Sequence, residues 1–193
     1  MIWLRSLIFN VIFYLFTAIC CFLFLPALLF PRSLFLKTLS LYFHALHFLE
    51  KTTIGLDYEV RGRENLPQKG SYIVAAKHYS TYETLKLPIL FDDVAVILKR
   101  ELMWIPLWGW LAAKARMVPV NRSSREQAIK SINSGAIRIK QEGRPIVIFP
   151  QGTRVKLDAT TKDKTYKHGP AHMAKKTNLP VIPLAHNSGV FWP

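Results

Sequence analysis

KHYSTYE, residues 77–83, sets a histidine five positions ahead of a glutamate, directly after the apolar run YIVAA. An imidazole with a carboxylate on one ring nitrogen has its tautomer fixed, and its other nitrogen is then free to take a proton from a hydroxyl. In an unbroken helix the five steps would leave His78 and Glu83 about 140° apart around the axis, facing different ways. If His78 lies in the loop or at the cap and the helix begins near residue 80, Glu83 is about one turn in and reaches back to the ring. On spacing alone, a base with its partner and two solvated residues both remain open.

Three further stretches carry chemistry. FPQGTR (149–154) closes an apolar run and then offers Gly152, which lets backbone amides approach an anion, the hydroxyl of Thr153, and the bidentate fork of Arg154. That combination suits a phosphate. KRELMWIPLWGW (99–110) joins Lys99 and Arg100 to an apolar patch containing Trp104, Trp108 and Trp110, a mixture suited to an amphiphilic partner or a membrane interface. LPVIPLAHNSG (179–189) ends in His186 and Ser188. It lacks the G-x-S-x-G turn of a serine hydrolase, and His186 reads as a structural polar residue rather than a second base.

The elements that must hold these residues alternate. DYEVRG (57–62), SYIVAAK (71–77), VAVILK (94–99), MVPV (117–120), PIVIFP (145–150) and LPVIPLA (179–185) read as strands, the last two of core type. Helices are expected over 79–90, 105–115, 123–143, with a serine start and a glycine stop, and GPAHMAKKT. Strand–helix alternation predicts an α/β fold, a mixed sheet covered by helices on both faces. Ligand sites in such folds lie beyond the carboxyl ends of the strands, where both KHYSTYE and FPQGTR fall.

Residues 1–52 form a separate unit before the α/β domain of 53–193. Residues 6–30 carry no charge, and as a helix they extend about 37 Å, beyond the roughly 30 Å hydrocarbon core of a bilayer. The run is too long for a signal-peptide core, and residues 34–50 follow as an amphipathic helix that folds back at the interface. Arg5 before the apolar stretch and Arg32 and Lys37 after it barely favour either orientation. The chain carries 26 Lys plus Arg against 12 Asp plus Glu, and the surplus is concentrated after residue 50. Such a field attracts phosphates, on anionic lipid, on a phosphorylated small molecule or on nucleic acid. The aromatics, however, cluster beside the apolar front end and the basic residues form no single run, which argues against nucleic acid. Adjacent Cys20 and Cys21 make neither a disulfide nor a metal site.

With these blocks in this order, the chain resembles the glycerolipid acyltransferases, and among them the bacterial 1-acylglycerol-3-phosphate acyltransferases. HYSTYE is similar to the family's H-x4-D block, KRELMWIPLWG to its K-x-E-L-x-x-I-P-x-x-G block, FPQGTR to F-P-E-G-T-R and VIPLAHNSG to its V-I-P-V block. The resemblance implies a glycerol-3-phosphate acyltransferase-like fold and a membrane-associated enzyme of phospholipid biosynthesis, on the cytoplasmic side of a bacterial inner membrane. The implied reaction moves a fatty acyl group from acyl-CoA or acyl carrier protein to the sn-2 hydroxyl of lysophosphatidic acid, giving phosphatidic acid without cofactor or metal. It assigns His78 as base with Glu83 as its partner, and Lys99, Arg154, Gly152 and Thr153 to the phosphate. Gln151 and Arg122 fall at the acceptor, and Pro183 at the acyl site. Glu83 stands where the family has aspartate, and Gln151 where it has glutamate. The sequence stops soon after the fourth block, where members normally continue, which implies an uncovered sheet edge or a shortened form. Other glycerolipid or lysophospholipid acceptors, and a non-catalytic module that grips anionic lipid, are the competing readings.

Overall fold

The computed structural model describes residues 2–191. Five strands form one sheet in the order β3-β2-β4-β1-β5, with β1 Ile73–Ala76, β2 Ala95–Lys99, β3 Val118–Val120, β4 Ile146–Ile148 and β5 Val181–Leu184. Where the sequence pattern suggests a mixed sheet, every pairing is parallel, because an α-helical crossover separates each strand from the next. β1 sits between β4 and β5, with Ile73 opposite both Ile146 and Val181. All five carboxyl ends therefore lie along one edge of the sheet.

Strand alternation splits the core in two. Ile73, Ile97 and Ile146 point to one face, where they pack with Ile139 of α5 (Arg125–Gln141) and Met173 of α6 (Gly169–Thr177). Val74, Val96 and Val147 point to the other, against Leu87 of α3 (Tyr82–Leu90) and Phe91. Ser124 starts α5 by accepting the Gln127 N–H, and Gly143, at φ 70°, follows its end.

One expectation about strands is corrected. DYEVRG forms no strand among the described residues: it follows the helix that ends at Thr53, with its backbone outside the sheet, and Tyr58 packs on the ring of His47 instead. Among the described residues LPVIPLA forms the outermost strand, β5: Val181 and Pro183 are exposed while Ile182 and Leu184 face the core, and no described strand lies on its far side to want the N–H that Pro183 lacks.

The front end is an antiparallel hairpin of α1 (Ile2–Leu23) and α2 (Arg32–Thr53), joined by a short 3-10 turn at Pro26–Leu29. Arg5 donates to the Thr53 carbonyl and so meets the negative end of α2, and the Thr17 and Tyr42 hydroxyls bond midway at 3.0 Å. α1 turns an apolar stripe outward, including Trp3, Leu7, Val11, Leu15 and Ile19, and is long and apolar enough to cross a membrane. α2 is the adaptor: Phe35 is buried against Leu111 of α4 (Trp108–Lys114) and Ala115, which caps that helix, and Glu50 forms a buried ion pair with Lys86 of α3. Arg32, at the corner of the hairpin, is bidentate to Asp93, which also pairs with Arg144 at 3.0 Å.

Candidate active site

The helix after β1 begins at Tyr82, so His78 occupies the preceding loop, as the second of the two sequence geometries requires. Glu83, in the first turn, reaches back, and its Oε1 lies 2.7 Å from His78 Nδ1. The same carboxylate accepts the backbone N–H groups of Tyr79 and Ser80 at 2.8 and 2.9 Å, the Ser80 hydroxyl at 2.8 Å and the Ser188 hydroxyl at 2.6 Å. Glu83 is nearly buried, and burial pushes a carboxyl up. Its hydrogen bonds from His78, Ser188 and Ser80 outweigh that and hold it at about 2. An anion accepting from His78 Nδ1 leaves Nε2 of the half-buried ring as the proton acceptor. Phe149 stacks on the imidazole at 4.2 Å between ring centroids.

The FPQGTR loop lies against this histidine loop. Val155 donates its N–H to the His78 carbonyl at 2.8 Å, and Arg154 Nη2 donates to Thr81 Oγ1 at 2.8 Å, which brings an exposed guanidinium against the loop that bears His78. Gly152 forms the turn of this loop. Its N–H is given to the Phe149 carbonyl, so it is not offered to an anion, and its φ of 71° is what requires a glycine in this turn. Its carbonyl accepts from Arg122 at 2.7 Å, and a Cβ there would lie 3.1 Å from the Lys167 amine. Arg122 is thus part of this loop's framework, and Lys167 adds a cation beside it.

Thr153 is exposed on the same loop. Gln151 is wholly buried, and neither of its amide atoms has a partner among the described residues. Lys99 ends β2, one strand over from β4, with its amine 3.9 Å from Glu101. Pro183 lies on β5 opposite Ala75 and lines a groove with Tyr79 and His186. It stands apart from the apolar cavity of about 300 Å³ that lies between the hairpin and the sheet, lined by Cys20, Tyr42, Thr81, Leu85, Leu98 and Leu111. Since Thr81 also holds Arg154, that cavity reaches the cationic loop. A second, polar-rimmed groove of about 620 Å³ runs from Gly152 past Arg122, Lys167 and His172.

Ser80, Phe149 and Lys167 are residues that sequence reasoning passed over, and His186 and Ser188 were noted without a link to Glu83. Ser80 and Ser188 stood inside quoted motifs, but nothing in one sequence shows a serine of the fourth block meeting the glutamate of the first. The parallel pairing of β1 with β5 creates that meeting.

A family profile described as acyltransferase matches residues 57–187, and the chain belongs to this family. It is 36% identical over 146 residues to the 1-acyl-sn-glycerol-3-phosphate acyltransferase of Pseudomonas aeruginosa, covering 76% of this chain and 55% of that protein. It is 34% identical over 135 residues to the Saccharomyces cerevisiae protein of the same name, covering 69% and 44%. The chain therefore spans about half the length of these relatives. The crystal structure of the 1-acyl-sn-glycerophosphate acyltransferase PlsC from Thermotoga maritima superposes with a TM-score of 0.72 at 25% identity, covering 95% of this chain and 74% of that one.

Proposed function

We propose that this protein transfers a fatty acyl group from an acyl thioester, on coenzyme A or acyl carrier protein, to the sn-2 hydroxyl of lysophosphatidic acid, with His78 as general base. His78 Nε2 takes the hydroxyl proton as the oxygen attacks the thioester carbonyl, the carbon–sulfur bond breaks, and the proton passes to the departing thiolate. Glu83 holds the ring and stabilises the imidazolium that forms. Arg154, with Lys99 and Lys167, binds the phosphate and so fixes where the hydroxyl sits. The apolar cavity receives an acyl chain. The hairpin, through α1, keeps the site at a membrane, with the catalytic domain on the cytoplasmic side of a bacterial inner membrane.

The observation that supports this reading is the joining of His78–Glu83 and Arg154 through one loop, base and anion grip together. The acyltransferase names of the relatives point the same way. The test is release of free thiol from an acyl thioester by the purified chain, with lysophosphatidic acid, glycerol-3-phosphate and a choline lysophospholipid as alternative acceptors. Lysophosphatidic acid gives the fastest release, and His78→Ala lowers it by about 10²-fold or more while thermal melting is unchanged. Thiol release that persists in His78→Ala rejects the base, and lipid binding without any release makes the protein a binding module.

A further inference from the structure

We infer that Ser188 and His186, which approach Glu83 from the side away from His78, are positioning residues for the base, and that His186 acts as a doubly protonated ring. This rests on the reading of His78 as the base. His186 Nε2 lies 2.8 Å from the Lys77 carbonyl, which can only accept, so that nitrogen carries a proton. Ser188 has one hydroxyl proton, and at 2.6 Å it goes to Glu83 Oε2, because a carboxylate also only accepts. Reversing it would press two sets of lone pairs together. The Ser188 oxygen then faces His186 Nδ1 at 3.0 Å with lone pairs alone, and Nδ1 must donate as well.

The outcome is a chain from cation to anion to base: His186, Ser188, Glu83, His78. A carboxylate held ionised by hydrogen bonds in a nearly buried site is stabilised further by a positive charge nearby. Were His78 its only partner, the pair would favour a protonated His78, and a protonated imidazole cannot act as a base. With His186 supplying the charge on the other side, His78 can remain neutral and still be oriented. The remaining charged or titratable groups facing the cluster are Tyr79, whose ring lies edge-on to His186 at 5.2 Å, Lys77, whose amine goes to the Ala159 carbonyl, and Arg154 beyond Thr81.

The backbone is shaped for this contact. His186 and Ser188 stand just past β5, and α7 (Ser188–Phe191) is drawn so close to the histidine loop that a Cβ on Gly189 would lie 2.9 Å from the Tyr79 Cβ. Glycine at 189 thus lets Ser188 reach Glu83. His186 also ties down the carbonyl of Lys77, the residue immediately before the base.

The experiment uses the full chain in detergent micelles with ¹⁵N-labelled histidine. Ring spectra of the wild type show both His186 nitrogens protonated and His78 protonated at Nδ1 alone. Ser188→Ala lowers acyl transfer about ten-fold, the effect of losing one hydrogen bond to a charged group, and shifts or broadens the low-field Nδ1 proton of His78. Ser188→Thr restores both. His186→Gln moves the acid limb of the pH–rate profile to higher pH, because Glu83 is then unopposed and His78 keeps its proton longer. A bare nitrogen on His186, a Ser188→Ala rate within two-fold of wild type with an unchanged His78 resonance, or a loss that threonine does not rescue overturns the proposal. If Ser188→Ala does not fold, Ser188→Cys, with its weaker donor, is read the same way and gives an intermediate rate and shift. Retained transfer by His78→Ala would sink the assignment of the base, while the ring spectra would still judge the hydrogen-bond chain, so the two failures are separable.

Discussion

Glu83 is held by more donors than any other side chain near the base, and its ionisation contributes to folding as well as to orientation. Its carboxyl sits at about 2 against an ordinary 4.5, so the folded state favours the ionised form. That contribution is fully present above pH ~4.5 and is lost as the pH falls towards 2, a span worth about 3 kcal/mol. Glu83→Gln should therefore be less stable than wild type by about that amount at pH 7, and the gap should narrow as denaturant melts are repeated from pH 5 down to pH 2.5. A gap that stays constant with pH would mean that the ionised carboxylate is not what the donors hold. At this scale the sequence left the meeting of His78 with Glu83 as one of two open geometries, and a strand end and a nearby glycine drew attention to Arg154. It did not show that the Gly152 N–H closes its turn on the Phe149 carbonyl. Nor could it show how glutamate serves where the family has aspartate: the longer side chain, rooted in the first turn of α3, reaches back to the amides of residues 79 and 80 and to the His78 ring together.

The elements that carry the site are joined by buried charge. Glu50 on α2 and Lys86 on α3 are almost completely buried, and the amine also lies over the Tyr82 ring at 4.6 Å. Removing one partner leaves the other ion uncompensated in an apolar setting, so Glu50→Ala should destabilise the protein by about 3–5 kcal/mol. Glu50→Ala with Lys86→Met should recover most of that. A double variant no more stable than the single one would show that the pair acts through something other than its charges. The alternation of strands and helices was legible because each apolar run is bounded by turn residues. DYEVRG misled because an alternating pattern fits any extended segment, and only the presence of a neighbouring strand makes one a ladder.

For the molecule as a whole, two surfaces point to a membrane. The outward stripe of α1 is one, and Trp104 and Trp110, which are 68% and 57% exposed, are the other. With a formal charge of +14, the protein should bind vesicles containing anionic phospholipid more tightly than neutral ones, and added salt should erase the difference. Trp104→Ser with Trp110→Ser should lower vesicle partition about ten-fold, read by co-sedimentation, and leave thiol release with a micelle-free short-chain acceptor unchanged. Undiminished partition would show that the tryptophans face something other than lipid. The front end and the basic surplus were plain in the sequence, whereas the apolar cavity was not, since its walls come from α1, α2, α3, α4 and β2. One contact carries beyond either surface. Phe149, which roofs the imidazole, and Val155, which fastens the backbone of the same histidine, bracket the segment that bears Arg154. On the function proposed above, seat and base are consequently yoked: a headgroup tugging on the segment between them would turn the ring that is to meet its alcohol, so that docking and alignment would become a single mechanical event.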